Sequence, residues 1–307
     1  MDYQGHALGQ DLTLSITREG LRLGSRFLDF ADLEALRPVN HRVFIDTASG
    51  ESIEVSMLGF SFDGFWKELC DCFGARSLEA LFVEEKLVMR AEGDYETPSG
   101  RGRAYIDLYD DAVCILPETA DAVRIPLCFA QSVALDGYQI TIRMADGTQY
   151  RVGRMGYDTK PFAERAQERA ETVKKQRAAA LAVPKLQAPF TCKGLFRTVK
   201  PDQHWQAAFG KGVCALELFT GEDAATYLYR FSGTQAQFLG RLEWAMEAMG
   251  PHREIIWMQE AQLADKPVYR MALRRCPAAA ALRASSAGRI IHTANHDAKL
   301  REFLAGG

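Results

Sequence analysis

The chain lacks most of the features that advertise an activity. Its seven cysteines, Cys70, Cys72, Cys114, Cys128, Cys192, Cys214 and Cys276, are odd in number and scattered, which argues against a disulfide framework and fits reduced thiols in a cytosol. No run approaches the ~20 apolar residues of a membrane span. The opening Met1-Asp2-Tyr3-Gln4-Gly5-His6 has neither the basic start nor the apolar stretch of a secretory signal. A cytoplasmic protein without a transmembrane segment is expected. The net charge of −3, from 37 basic and 40 acidic residues, provides no global field toward nucleic acid, so no direct DNA binding is expected. No Ser/His/Asp ordering, carboxylate pair, phosphate loop or dinucleotide fingerprint stands out, and neither a catalytic residue, a cofactor nor a metal site is assigned.

What the chain does have is a repeat. Residues 43–65 lie over residues 140–162 at a constant offset of 97 positions without a gap. The pairs include Val43 with Ile140, Ile45 with Ile142, Gly50 with Gly147, Val55 with Val152, Gly59 with Gly156, Phe60 with Tyr157 and Phe65 with Phe162. Almost all are apolar or glycine, so the repeat records architecture. Upstream the match continues with small shifts: Phe30-Ala31 and Leu36 fall on Phe129-Ala130 and Leu135, and Ile16, Leu21 and Leu23 on Leu108, Val113 and Ile115.

In each copy short segments of period-2 alternation precede a glycine turn, after which the period changes to 3.6. Phe65, Leu69, Cys72 and Phe73 mark the apolar stripe of the first helix, and Phe162, Ala166, Ala170 and Val173 that of the second. At the turn, Gly59 and Gly156 shape the backbone and Phe60 and Tyr157 are expected to anchor the helix. Domain bounds of 1–75 and 76–183 follow, with a linker at 184–194 beginning at Pro184 and a C-terminal α+β domain over 195–307. That last domain, with strands expected at Val213–Phe219, Thr226–Phe231, Ile255–Gln259, Val268–Leu273 and Arg289–His292, is either a diverged third copy or unrelated. Helices are expected in it over Phe238–Met249 and near Asp297–Leu304.

Seven short antiparallel strands followed by one helix resemble the pleckstrin-homology-like superfamily. The resemblance implies a mixed α+β, mainly antiparallel fold: two open barrels, each capped by a C-terminal helix, followed by the third α+β domain. Within that superfamily, Gly59-Phe60-Ser61-Phe62-Asp63-Gly64-Phe65-Trp66-Lys67-Glu68-Leu69 and the following Leu78-Glu79-Ala80-Leu81 are similar in layout to the tandem modules of the FACT-type histone chaperone subunit. Only the fold is carried over.

Several motifs are weighed against plain structural roles. Gly59-Phe60-Ser61-Phe62-Asp63 approaches a nucleophile elbow, but its fifth position is Asp63 and the repeat partner of Ser61 is Asp158, so a structural turn is favoured. His292 and His296 are read as surface residues, with an enzyme activity of the C-terminal domain that uses them as the least favoured alternative. Cys72 is read as half-buried and Cys70 as exposed on one helix, and the alternating Tyr227, Tyr229 and Phe231 as core. In lipid-binding members of the superfamily a basic residue late in the first strand and a basic-x-basic pattern in the second clasp inositol phosphates. The resemblance puts Lys86, Arg90, Arg101 and Arg103 in those places, so a lipid head group is the alternative ligand. The leading expectation is a protein partner bound between a terminal helix and a sheet edge. That groove would be bordered by Trp66 and Phe73 in the first unit and by Arg165 and Arg169 in the second.

Overall fold

Alternating apolar residues near the N-terminus form seven antiparallel strands: β1 (Asp2–Ala7), β2 (Gln10–Ile16), β3 (Gly20–Leu23), β4 (Arg26–Asp29), β5 (Leu33–Val39), β6 (Arg42–Thr47) and β7 (Ser52–Ser56). These elements come from a computed structural model that describes residues 2–83, 86–119, 121–144, 147–180, 191–194, 203–210, 213–220, 225–232, 255, 258–275, 280, 283 and 287–291. The strand order β4-β3-β2-β1-β7-β6-β5 puts β1 in the middle of the sheet and leaves β4 and β5 at its edges. A 3-10 turn, Phe30–Asp32, joins those two edges directly, and Asp29 caps it by accepting from the Ala31 amide at 2.8 Å. The sheet therefore curls into a barrel-like layer around Leu14, Leu21, Leu33, Leu36, Val43, Ile45 and Val55, all buried.

Helix α1 (Phe62–Ala80) closes this barrel with Phe65, Leu69 and Phe73; the Phe65 and Phe73 rings meet Tyr3 and Phe30 edge to face at 5.2 and 6.2 Å. The Tyr3 hydroxyl donates to Glu68 at 2.6 Å, and this bond to an acceptor carboxylate pushes the phenol up to about 12. A raised acid pKa gives stability that is intact below the unfolded value near 10 and is lost as pH rises toward the folded one. Tyr95, Tyr105 and Tyr109 are raised as well, chiefly by burial, so ultraviolet difference titration should show several late-ionising tyrosines, and Tyr3→Phe should lower their number by one along with part of the stability loss between about pH 10 and 12.

The second barrel repeats the plan with β8 (Leu87–Thr97), β9 (Gly100–Tyr109), β10 (Ala112–Leu116), β11 (Val123–Pro126), β12 (Ala130–Asp136), β13 (Gln139–Met144), β14 (Gln149–Gly153) and α2 (Thr159–Ala180). Its order, β11-β10-β9-β8-β14-β13-β12, is that of the first, and its helix buries Phe162, Ala163, Ala166 and Ala170. The strand pairings also correct the upstream repeat. Bulges at Leu33/Ala35 and Ala130/Ser132 occupy the same place, so the offset of 97 extends back through the 3-10 turns. Leu36 is equivalent to Val133, and Phe30–Asp32 to Leu127–Phe129. The pairs Ile16/Leu108, Leu21/Val113 and Leu23/Ile115 stand.

A second correction concerns the turn before each helix. Gly59 and Gly156 do take positive φ, 54° and 60°, but Phe60 and Tyr157 are fully exposed and anchor nothing. Helix α1 also runs past the expected boundary at 75, because its C-terminal half has a second apolar face. Leu78, Leu81 and Val83 pack in a separate cluster with Tyr105, Tyr109, Cys114, Leu116 and Ala122 of the second barrel. Beside it the Leu36 amide donates to the Glu118 carbonyl at 2.7 Å, and Ala35 bridges to Thr119.

The chain divides into two units, Met1–Ala170 with Ala264–Arg275, and Glu171–Leu263 with Cys276–Gly307. Both barrels belong to the first. In the second, β15 (Thr191–Gly194), β16 (Gln203–Gly210), β17 (Val213–Thr220), β18 (Ala225–Ser232) and β19 (Ala287–Ile291) form one antiparallel sheet in that order. Its first strand is at an edge, unlike β1 and β8, so the described strands do not reproduce the barrel order. Part of the expected linker, Thr191–Gly194, is strand. Of the strand expected over Ile255–Gln259, Ile255 lies in a helical turn and Met258 and Gln259 are in neither helix nor strand, and a short helix, Glu260–Ala264, follows. The strand expected at Val268–Leu273 is instead helix α3 (Pro267–Arg275), which belongs to the first unit. The helices expected over Phe238–Met249 and near Asp297, together with Trp244, Trp257, His292 and His296, lie outside the described residues.

Candidate functional site

The face of α1 turned away from the first core presents Trp66, Cys70 and Gly74 at helical spacing, with Phe73 behind them. Opposite stand β9 and the end of β10. Odd-numbered residues of β9 up to Asp107 and even-numbered residues of β8 share one sheet face, because Arg90 pairs with Asp107 and Glu92 with Tyr105 in the ladder. Together they enclose a groove of about 440 Å³ lined by Trp66, Cys70, Phe73, Arg90, Glu92, Arg103, Tyr105, Pro117 and Glu118 among others.

The groove carries charge, but its arginines are already engaged. Arg90 donates from Nε and Nη2 to the two oxygens of Asp107 at 2.7 and 2.8 Å, and its guanidinium lies 5.2 Å from the Tyr105 ring centroid. The Asp107 side chain is fully buried and also accepts from the Tyr109 hydroxyl at 3.1 Å. Hydrogen bonding to Asp107 holds the Arg90 pKa above its usual range. Arg103 donates to Glu92 at 2.7 Å, and from the β14 side of β8 Arg154 donates to Asp94 and Arg151 to Glu96.

Cys70 is half-buried in the groove rather than exposed as expected, and this burial, with Glu118 and Asp71 nearby, pushes its thiol far up. The Glu118 carboxyl is raised too, by desolvation and by Glu92. A carboxylate held in such a place gains from an incoming cation. Chemically, the groove offers two aromatic surfaces, an acidic wall and charge-paired arginines. Among the described residues no group of three or more His, Cys, Asp or Glu is placed to hold a metal ion, and no helix is long and apolar enough to cross a membrane.

The sequence-derived candidates therefore distribute unevenly. Trp66 and Phe73, expected in one barrel, and Arg90 and Arg103, expected in the other, meet in this one groove. Arg101 is exposed near the opposite end of the β8–β9 hairpin, where it faces Glu96, so it is not brought together with Arg90. Lys86 is exposed just before β8. Arg165 is exposed on α2, and Arg169 forms a 3.5 Å ion pair with Asp110, both away from the groove lining. Tyr105, Asp107 and Glu118 were not singled out from sequence. The period-2 order Arg103, Tyr105, Asp107 against Arg90, Glu92, Asp94 is the signal that points to two of them. No protein-family model matches the chain, and no curated protein matches its sequence.

Proposed function

We propose that the protein is a non-enzymatic cytoplasmic interaction protein whose barrels are pleckstrin-homology-like modules and whose α1/β9 groove binds a segment of a protein partner. The strand order and terminal helix fit the superfamily that the sequence resembles. The convergence of the half-buried Trp66 and Tyr105 with the raised Glu118 carboxyl carries the reading, because aromatic surface and a desolvated acid favour a segment bearing an apolar and a basic side chain. Phe73, expected to border the groove, is buried in the first core and only backs it. The lipid alternative rests on Lys86, Arg90, Arg101 and Arg103. It is weakened by the carboxylates already held by Arg90 and Arg103, which a phosphate would have to displace.

Affinity purification of the intact chain from its native cells, beside a Trp66→Ala version, tests the proposal. A stoichiometric protein is expected with the parent chain and a loss of roughly tenfold or more with the variant, the scale of an aromatic anchor. Equal recovery by both would remove the groove as the binding surface. Flotation of the chain with phosphoinositide vesicles, lost on charge reversal at Arg101 and Arg103, would favour the lipid reading instead.

A further inference from the structure

On the other side of α1, the chain supplies a ligand to its own first barrel. Helix α3 begins at Pro267, which suits a first helical turn, and buries Met271, Ala272 and Arg275. Its arginines at i, i+4 and i+5 each meet a different acceptor. Arg270 donates to both Asp32 oxygens at 2.9 and 3.1 Å. Arg274 pairs with Glu34 at 3.3 Å and donates to the Ala31 carbonyl. Arg275 donates to the Ser77 hydroxyl and stacks 5.1 Å from the Phe73 ring centroid.

The notch formed by Asp32, Glu34, the Ala31 carbonyl, Ser77 and Phe73 belongs to the first barrel alone. At the offset of 97 the second barrel has Phe129, Gln131, Cys128, Lys174 and Ala170 in those places. Repeat equivalence fixes the backbone there; only the first copy carries the acidic residues, and in the second Phe129 replaces Asp32 while Ala170 replaces the stacking ring of Phe73.

The seat is incomplete. Arg275 is 4% exposed, yet its Nε and Nη2 have no hydrogen-bond partner among the described residues, which costs part of what the docking contributes. Burial and the adjacent Arg274 press its pKa down. A helix of nine residues has little stability of its own, so docking and helix formation are coupled. The chain before Ala264 and after Arg275 belongs to the other unit.

We propose that this notch is a receptor for short basic helices with arginines at i, i+4 and i+5, that α3 occupies it in cis, and that a partner protein presenting such a helix displaces α3. The inference does not rest on the α1/β9 groove, and Trp66→Ala should leave it intact.

The probe is a fluorescein-labelled peptide of residues 264–275, titrated into the intact chain and followed by anisotropy. Arg270→Glu with Arg274→Glu should release α3 and raise peptide affinity at least tenfold over the parent chain, whose own helix competes at high effective concentration. Adding Asp32→Lys and Glu34→Lys should abolish that gain. Peptide binding no tighter in the released variant, or unchanged by reversal of the notch, overturns the proposal. Hydrogen exchange on the unmodified chain provides a measurement free of folding artefacts. Excess peptide should accelerate exchange over 267–275 while β1–β7 keep their protection, and no change over 267–275 would also overturn it. A concentration-dependent dimer formed by swapping α3 between copies would assign the notch to self-association and overturn the partner reading.

Discussion

Gly93→Val is expected to cost roughly 3 kcal/mol or more and to leave the second barrel unfolded at temperatures where the parent chain is intact. Gly93 lies in β8 where the strand passes β14, and a Cβ built there meets the Gly153 carbonyl oxygen at 2.4 Å and Met155 Cγ at 2.6 Å. The first contact is with backbone inside a hydrogen-bonded ladder, so relief requires the strands to part. Gly5 occupies the equivalent place in the first barrel, against Leu14, the Ser56 carbonyl and Leu58. Both copies thus need a glycine where the central strand passes close to its neighbour. Gly100→Ala is the control: a Cβ there meets nothing within 4 Å, and a change within about 0.5 kcal/mol is expected. Urea unfolding of the two variants distinguishes them, and near-equal midpoints would show that the close approach does not constrain the barrel.

The second large effect is expected at Asp107. Its buried carboxylate holds Arg90 through two bonds and Tyr109 through a third. Asp107→Ala strands those donors and should lower stability by about 2–4 kcal/mol, moderated because 40% of the Arg90 side chain is exposed and can recover water. Asp107→Asn keeps the shape and part of the hydrogen bonding and should cost less. Arg90→Ala leaves an uncompensated buried charge, whereas the double change removes both, so the double variant should lose less than the two single losses together. Strict additivity in denaturant unfolding would show that the pair does not act as a unit.

The legibility of this fold in its sequence follows from how local each cause is. The strand–turn–strand–helix tail could be read because Gly50, Gly59, Val43, Ile45 and their counterparts answer to a backbone need or a core position. The direction of Phe60 and Tyr157 could not, since recurrence records that a residue is kept in place without recording which side faces water. The upstream register was misjudged because Phe30-Ala31 and Phe129-Ala130 look alike as words, whereas the bulge in the edge strand sets the true equivalence.

Helix α3 was missed for a different reason. Val268, Tyr269, Met271 and Leu273 suggest a strand, and the residue that completes its buried face is an arginine, which no apolar periodicity counts. Only Pro267 gave the helical signal. The groove was half legible: aromatic and basic residues were picked out separately, and their meeting depends on long-range packing of α1 against β10 that neither segment encodes alone.

That packing has a consequence for how the molecule comes apart. Phe65, Leu69 and Phe73 of α1 belong to one hydrophobic core, while Leu78 near its end and Leu81 just beyond it belong to another. Fraying the helix therefore withdraws support from both barrels together, so their melting is linked even though each has a full set of seven strands. The two barrels repeat one architecture, and sharing a helix costs them their independence: no cut within α1 leaves a complete interior on both sides.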